Sequence, residues 1–311
     1  MLIKPIISVI LCTYNNQDSL RETLKQLVKQ EVKDAGDFEI LIIDNNSSDE
    51  TEATVAEYKR SCDLNIRYIF EKKQGLSNAR NRGVSESKGT YLLFTDDDAD
   101  LPTFWVSKYL EMINKKQPDC LYSRINVLWD QPQPWWFDNR YNTLFVHLDY
   151  GEKEFWVDDF EYEFFGKNFC CKKSVLKDQG GFDANLGRSA SVLAAGEETA
   201  IFRGLVERQK KILYFPGAEV GHRLKDVEYS LEYTERKILD GANSTYLVHK
   251  KFANRRLFDR PLYTVKNAFL QLAVNFTRFI RAAIIVDPKD RFYHYLQIRL
   301  QLKLLLLWVK N

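Results

Sequence analysis

The sequence predicts an α/β protein built on a mostly parallel sheet with helices on both faces. Three observations carry that prediction. Short apolar runs alternate with segments of helical period through the first 114 residues, the order expected of βαβ units. The runs are nearly continuous rather than alternating, as strands covered on both faces must be. Three of them end in polar clusters: Thr13, Tyr14 and Asn15; Asp44, Asn45 and Asn46; Asp96, Asp97 and Asp98. Ligands of open α/β sheets sit at the carboxyl ends of strands, so the chemistry is expected there.

The elements follow in order. Residues 6–12 are a β-branched run closed by turn formers. Residues 19–28 place Leu20, Leu24, Leu27 and Val28 at helical spacing. Residues 38–43 read as a second strand, 51–58 as a helix and 65–70 as a third strand. Residues 75–87 read as a helix ended by Gly89, 91–94 as a fourth strand and 103–114 as a helix. After residue 120 the pattern changes. Residues 129–165 hold four of the six tryptophans, Trp129, Trp135, Trp136 and Trp156, among many Tyr, Phe, Asp and Glu. That composition suits an antiparallel region around a wet, aromatic binding face. Residues 197–206 are helical again, and from about residue 228 the chain reads as helix to the end.

The bulk numbers bound the function. The 311 residues are 45% hydrophobic and 28% charged, ordinary for a globular protein. A net charge of +2 provides no global field for nucleic acid. The sum hides an asymmetry, because residues 250–311 carry 13 Lys and Arg against three acids, a net of +10. A basic tail on an acidic body suggests an anionic partner. The five cysteines, Cys12, Cys62, Cys120, Cys170 and Cys171, are odd in number and lack metal-type spacing. Free thiols in a reducing, cytoplasmic compartment are the simplest reading. The run at 6–12 lacks a cleavage site and reads as a strand rather than a signal peptide. No stretch of about 20 apolar residues provides a conventional membrane span.

Asp96, Asp97 and Asp98 are the strongest chemical feature. Three carboxylates leaving a strand together repel, and a divalent cation shared with phosphates relieves that repulsion. A solvated turn of capping aspartates is the competing reading. Asp44 can accept hydrogen bonds from a base or ribose, or close an Asx turn. Residues 75–83 open a helix with Asn78, Arg80, Asn81 and Arg82, a setting that suits a diphosphate or simply an exposed basic helix. Glu197 and Glu198 follow Gly196 at a helix start, where a carboxylate serves as a general base or complements the helix dipole. His222 can complete a metal site or be structural.

The order of these motifs resembles family 2 glycosyltransferases over residues 5–225. The resemblance is carried by Thr13, Tyr14 and Asn15, the segment 44–51, Gly75 to Gly83, the aspartate triplet, Gly166, Lys167 and Asn168, Gly180 to Asp183, and Glu197 with Glu198. It implies the GT-A fold, a nucleotide-binding half joined to an acceptor half. The implied boundaries are 1–227 for the catalytic domain (donor half 1–120, acceptor half 121–227) and 228–311 for a helical, basic, amphipathic region. By that analogy Thr13, Tyr14, Asn15, Asp44, Asn78, Arg80, Asp96 and Asp97 line the donor nucleotide. Tyr14 stacks on the base, Asp44 meets base or ribose, Arg80 approaches base or diphosphate, and Asp96 lies beside the ribose. Asp98 and His222 hold Mn²⁺ or Mg²⁺. Glu198 matches the base position, although Glu197 stays a candidate because the family's Glu-Asp pair is Glu-Glu here. Gly181, Phe182 and Asp183 fall in the family's acceptor-side elements. Trp135 and Trp136 lie in an insert at 129–138 that the family does not share. It is read as acceptor-side, where aromatic faces stack on sugar or lipid, or as part of the core.

The implied reaction is inverting transfer of one sugar from a nucleotide-diphosphate sugar, a UDP-sugar first, to a saccharide or lipid-linked hydroxyl. The absence of Gln-x-x-Arg-Trp points away from processive synthesis. A non-catalytic carbohydrate- or lipid-binding scaffold and a sugar-phosphate nucleotidyltransferase are the competing classes. The latter expects a Gly-rich basic loop after the first strand, and Thr13 to Asn16 is not one. In the tail, Phe269, Leu272, Ala273, Phe276, Ile280, Ala283 and Ile284 share a helical stripe flanked by Lys266, Arg278 and Arg281. Two readings stay open for it: contact with the anionic inner face of a membrane, or packing on the catalytic domain or a partner subunit.

Overall fold

The computed structural model describes residues 4–188 and 195–310. The chain divides into two compact units. The first comprises Met1–Leu128, Val146–Asn185 and Glu197–Arg223. It begins with β1 (Ile7–Thr13), α1 (Gln17–Leu27), β2 (Phe38–Asp44), α2 (Thr51–Ser61), β3 (Ile66–Phe70), α3 (Leu76–Glu86) and β4 (Tyr91–Asp96). It continues with β5 (Ala99–Asp100), α4 (Trp105–Lys116), β6 (Cys120–Tyr122), β7 (Ile125–Leu128), β8 (Phe155–Val157), β9 (Phe169–Lys172) and α5 (Lys173–Asp178). α6 (Glu197–Glu207), β10 (Ile212–Tyr214) and β11 (Val220–Arg223) complete it.

The main sheet runs β3-β2-β1-β4-β9-β6-β10-β8. Its first four strands are parallel, as the alternation of strands and helices predicts. β9 enters antiparallel between β4 and β6. A second sheet runs β5-β11-β7 and pairs His222 with Ala99. Every residue of β1 and β2 is buried, which is why these strands read as continuous apolar runs. Glu39 is an acid within one of these runs and is fully buried. Its carboxylate accepts from the Ser8 hydroxyl at 2.7 Å, the Lys88 amide at 2.6 Å and the Arg67 guanidinium at 3.2 Å. A buried charge is tolerated when its lone pairs are satisfied in this way.

The register brings the polar clusters together. Thr13 lies beside Asp44, and Cys12 beside Asp96. Three strand ends therefore share one edge. All five thiols are free, four of them buried, as their spacing predicts.

The second unit comprises Trp129–Phe145, Leu186–Gly196 and Leu224–Asn311. It contains α7 (Leu231–Lys251), the hairpin of β12 (Arg256–Leu257) and β13 (Arg260–Pro261), α8 (Leu262–Ile284) and α9 (Pro288–Lys310). The antiparallel region expected at 129–165 is smaller than the composition suggests. Only β8 within it joins the main sheet, antiparallel to β10. Residues 129–145 instead form an aromatic cluster of the second unit. In it Trp136 packs against Tyr141 at 5.6 Å and Phe145 at 6.1 Å between ring centroids, and Trp129 against Phe137 at 4.6 Å.

Gly89 lies where α3 gives way to β4, against the backbone of β1. A Cβ there would stand 2.5 Å from the Ser8 nitrogen and 2.8 Å from the Ile7 carbonyl carbon. Those atoms belong to a fully buried strand and cannot yield. Gly89→Ala is therefore expected to destabilise the fold by about 1–3 kcal/mol, read as a lower midpoint in chemical denaturation.

Candidate active site

The site is built on the carboxyl ends of β1, β2 and β4, all within the first unit. At the end of β1, Asn15 adopts a left-handed backbone with φ 46°, which asparagine tolerates. Its amide N–H donates to the Ser47 hydroxyl at 2.9 Å, and its side-chain oxygen accepts from the Ser48 amide at 2.7 Å. The turns after β1 and β2 are thus joined. Tyr14 projects from the same turn with 39% of its surface exposed.

Asp44 is buried. One carboxylate oxygen accepts from the Ser47 amide at 2.9 Å, closing an Asx turn, and the other from the Tyr68 hydroxyl at 2.6 Å. Each oxygen keeps a second lone pair for a ligand. Burial and the Asp44 hydrogen bond raise the Tyr68 phenol above its usual range, so it remains the donor. Asn45 ties down the next loop, donating to the carbonyls of Glu71 and Lys73 and accepting from the Gly75 amide at 2.8 Å. Gly75 opens α3 with φ 124°, a region nearly closed to other residues. Asn78 spends one donor on the Gln74 carbonyl at 2.8 Å.

The three aspartates do different things. Asp97 is tied to β1, accepting from the Thr13 hydroxyl and from the Asn16 amide, both at 2.7 Å. Asp96 and Asp98 share the Lys167 ammonium, which lies 3.5 Å from Asp96 and closer still to Asp98. Lys167 is only 2% exposed. Burial alone would lower its pKa, but Asp98 and Asp96 raise it, so it is a permanent cation. Burial alone would likewise raise the Asp98 carboxyl. The neighbouring Lys167 and His222 hold it well below the usual carboxylate range. The His222 Nε2 is 3.5 Å from Asp98.

Among the described residues, no three carboxylate, imidazole or thiolate side chains gather into a cation cage. The facing pair of Asp98 and His222 fits a different kind of site. It supplies one hard oxygen and one imidazole nitrogen, with the Lys167 ammonium bonded to the same carboxylate. The oxygen, completed by phosphate and water, suits a hard divalent cation such as Mn²⁺ or Mg²⁺, and the imidazole suits softer ones.

The sequence reading assigns Arg80 to the donor nucleotide; the structure uses it differently. Its guanidinium is 2% exposed and lies among three carboxylates. It contacts Glu197 at 2.8 Å, Glu198 at 3.3 Å and Asp96 at 3.5 Å, with the Phe182 ring 5.6 Å away. Burial opposes its charge, but the carboxylates more than offset that and raise its pKa. Gly166 completes the arrangement. Its amide donates to Glu198 at 3.1 Å, and a Cβ there would collide with the Arg80 guanidinium and the Glu198 carboxylate.

Glu197 and Glu198 are therefore not equivalent. Glu197 is sealed, with a side-chain exposure of 2% against 16% for Glu198. One of its oxygens is buried without a partner. Burial and the Glu198 charge push its carboxyl up to about 8, against the pull of Arg80. Glu163, which the sequence reading missed, lies nearby and bonds the Thr199 hydroxyl. Burial pushes it up to about 7. No motif marks Glu163; only the fold brings it beside α6.

Two residues assigned to the acceptor side do not offer a face. Phe182 and Trp136 are each 2% exposed. Phe182 underlies Arg80 and exchanges two hydrogen bonds with the Asn81 amide, at 2.7 and 2.9 Å. Trp136 is enclosed by the aromatic cluster of the second unit. Gly181, with φ 75°, lets that segment dock on Asn81. Asp183 accepts from the Asn185 amide at 3.0 Å. Trp135 is 54% exposed. Asn168, one of the residues that carry the family resemblance, is a buried hub that accepts from the Trp105 indole at 2.8 Å and the Tyr109 hydroxyl at 2.9 Å.

Comparison with known proteins bears on the family and the fold. The sequence model of Glycosyl transferase family 2 matches residues 8–179. A similar protein is the GalNAc(5)-diNAcBac-PP-undecaprenol beta-1,3-glucosyltransferase of Campylobacter jejuni, 28% identical over 194 residues. That match covers 60% of this chain and 58% of the relative. Among solved structures, the mannosyltransferase PcManGT from Pyrobaculum calidifontis, in complex with GDP-Man and Mn²⁺, superimposes with a TM-score of 0.66 at 16% identity. It covers 99% of this chain and 88% of that one. S. aureus TarS 1–349 in complex with UDP gives 0.57 at 17% identity, over 94% and 89%. With the family matched across more than half of its length, the chain belongs to glycosyl transferase family 2 and has the GT-A fold.

Proposed function

We propose that this chain transfers a single sugar from a nucleotide-diphosphate sugar, a UDP-sugar first, to a hydroxyl of a saccharide or lipid-linked acceptor, with inversion. The observation that carries the proposal is the Arg80 cluster. It holds one reachable carboxylate, Glu198, in fixed orientation beside an acidic strand end. In the proposed reaction Glu198 takes the acceptor hydroxyl's proton as that oxygen attacks the anomeric carbon. The bond from the anomeric carbon to the diphosphate breaks on the opposite face, which inverts the configuration. Tyr14, exposed at the end of β1, and Asp44, with free lone pairs, are the proposed contacts to base and ribose. Asp98 and His222 are the residues that would hold Mn²⁺ or Mg²⁺, whose charge would offset that of the diphosphate leaving group. A lipid-linked acceptor is supported by the Campylobacter relative, which is named for one. The scaffold alternative has no specific observation in its favour.

Two measurements test this reading, and a third tests the protonation of Glu197. In calorimetric titration, UDP is expected to bind in the presence of Mn²⁺, more weakly in EDTA, and to lose the metal dependence in Asp98→Ala. GDP and dTDP run in parallel narrow the donor. Failure of all three nucleotides under both conditions would overturn the transferase reading and favour the scaffold.

Glu198→Gln is expected to lower turnover by about 10²–10⁴-fold with UDP affinity unchanged. Turnover is followed as UDP release with a lipid extract supplying acceptor. Equal or greater loss in Glu197→Gln with Glu198→Gln still active would reverse the assignment of the base.

The third test is pH. Glu197 sits at about 8 in the folded chain against an ordinary 4.5, so the folded state binds the extra proton between those values. Its contribution to stability is full below about pH 4.5 and is lost as pH rises through about 8. Glu163 adds in the same direction up to about pH 7. Thermal midpoints should fall over this window, and the fall should flatten in Glu197→Gln.

A further inference from the structure

Helix α8 is arranged inside out. The residues it buries are Thr264, Ala268, Asn275 and Ala282, small or polar. Along the opposite face, by helical spacing, run Phe269 (63% exposed), Phe276 (56%), Ile280 (44%) and Ile284 (75%). Leu270 borders them at 61%, and the turn after the helix adds Ile285 and Val286 at 60% and 78%. The inner side is used against α9, where the His294 Nδ1 meets the Asn275 amide oxygen at 2.7 Å. The small residues allow that close approach. The large apolar groups are left to face outward. Scattered exposed leucines mean little, but a contiguous apolar stripe marks a binding surface.

The charges on α8 say what binds. Its 23 residues contain no Asp or Glu. Lys266 lies within the stripe and Arg281 along one border, while Arg278 lies nearer the buried face, toward Tyr293 and His294 of α9. All three are exposed and have no carboxylate partner among the described residues. A second copy seated on the same face would set these cations against their own kind, which disfavours a self-complementary dimer. A membrane-spanning placement is disfavoured too, since no helix among the described residues is long and apolar enough to cross. An apolar stripe edged by free cations matches a helix lying in the plane of a bilayer, with apolar groups among the acyl chains and cations at anionic headgroups.

We infer that the outward face of α8, with the turn at Ile285 and Val286, docks on the surface of an anionic phospholipid bilayer. This placement stands apart from the transfer chemistry, since the face can bind lipid whether or not the chain turns over sugar. Of the stripe's sequence readings, membrane contact or packing on the catalytic domain or a partner subunit, its exposure and its cations favour the first.

Flotation of the full chain with vesicles tests it. Vesicles of phosphatidylcholine with about a third phosphatidylglycerol should capture the chain at low salt and release it as salt rises. Pure phosphatidylcholine should capture far less. The pair Phe269→Asp and Phe276→Asp should cut capture at least tenfold while UDP binding is unchanged. Because these positions are exposed, folding should survive, checked by circular dichroism. Neutralising Lys266, Arg278 and Arg281 to Gln should weaken binding about fivefold for each cation lost, and provides a second route if the aspartate pair misfolds. No capture by anionic vesicles at low salt, or capture indifferent to both sets of substitutions, overturns the inference. So does a concentration-dependent dimer that the aspartate pair abolishes, which would make the stripe an interface between copies. No binding of UDP, GDP or dTDP by the unmodified chain would overturn the transferase reading alone.

Discussion

The buried guanidinium of Arg80 is the interaction on which the site depends. Glu197, Glu198 and Asp96 approach one another from α6 and the end of β4. Unscreened, three carboxylates at that spacing would repel, and the fold would have to open or protonate them. A single planar cation, aimed at all three, makes the arrangement possible. The cost is the desolvation of the arginine itself, which is tolerable only while the partners stay in place. Two details follow. Position 166 must be glycine-sized, because the guanidinium and Glu198 lie against its Cα. Burial and the Glu198 charge raise the Glu197 carboxyl against the pull of that cation.

A second buried cation repeats the device at the other oxygen of Asp96. Lys167 lies between Asp96 and Asp98. Asp96 thus stands between an arginine on one side and a lysine on the other. The acidic strand end is therefore not a bare cluster of negative charge. It is held in balance before any ligand arrives, and a preorganised polar site needs little rearrangement when charge develops in it. Asp97, the middle residue, is occupied in fastening β1 to this end of the sheet.

The second unit follows the opposite logic. Its aromatic cluster around Trp136 is a normal interior, but α8 buries what is small and exposes what is large. Such a helix gains from contact with a neighbour through close backbone approach and hydrogen bonds, and leaves its apolar area for another surface. The same periodic stripe that usually points to a core here points outward.

Much of the fold was legible along the chain. Continuous apolar runs, helical spacing and turn formers depend on residues near one another in sequence, so the succession of the first four strands and the three polar strand ends could be read directly, whereas their order in the sheet could not. The aspartate triplet and the glutamate pair were visible for the same reason. What only the tertiary structure decided is which charges meet. Arg80 and Glu197 are 117 positions apart, and Lys167 and Asp98 are 69 apart. No local pattern records such pairings, because they exist only once the sheet has closed. Burial is decided at the same level. Phe182 and Trp136 read as binding aromatics and are interior, whereas Glu197 and Glu198 read as equals and differ in access. The sequence states which groups are present and on which element; solvent access depends on what the rest of the chain lays over them.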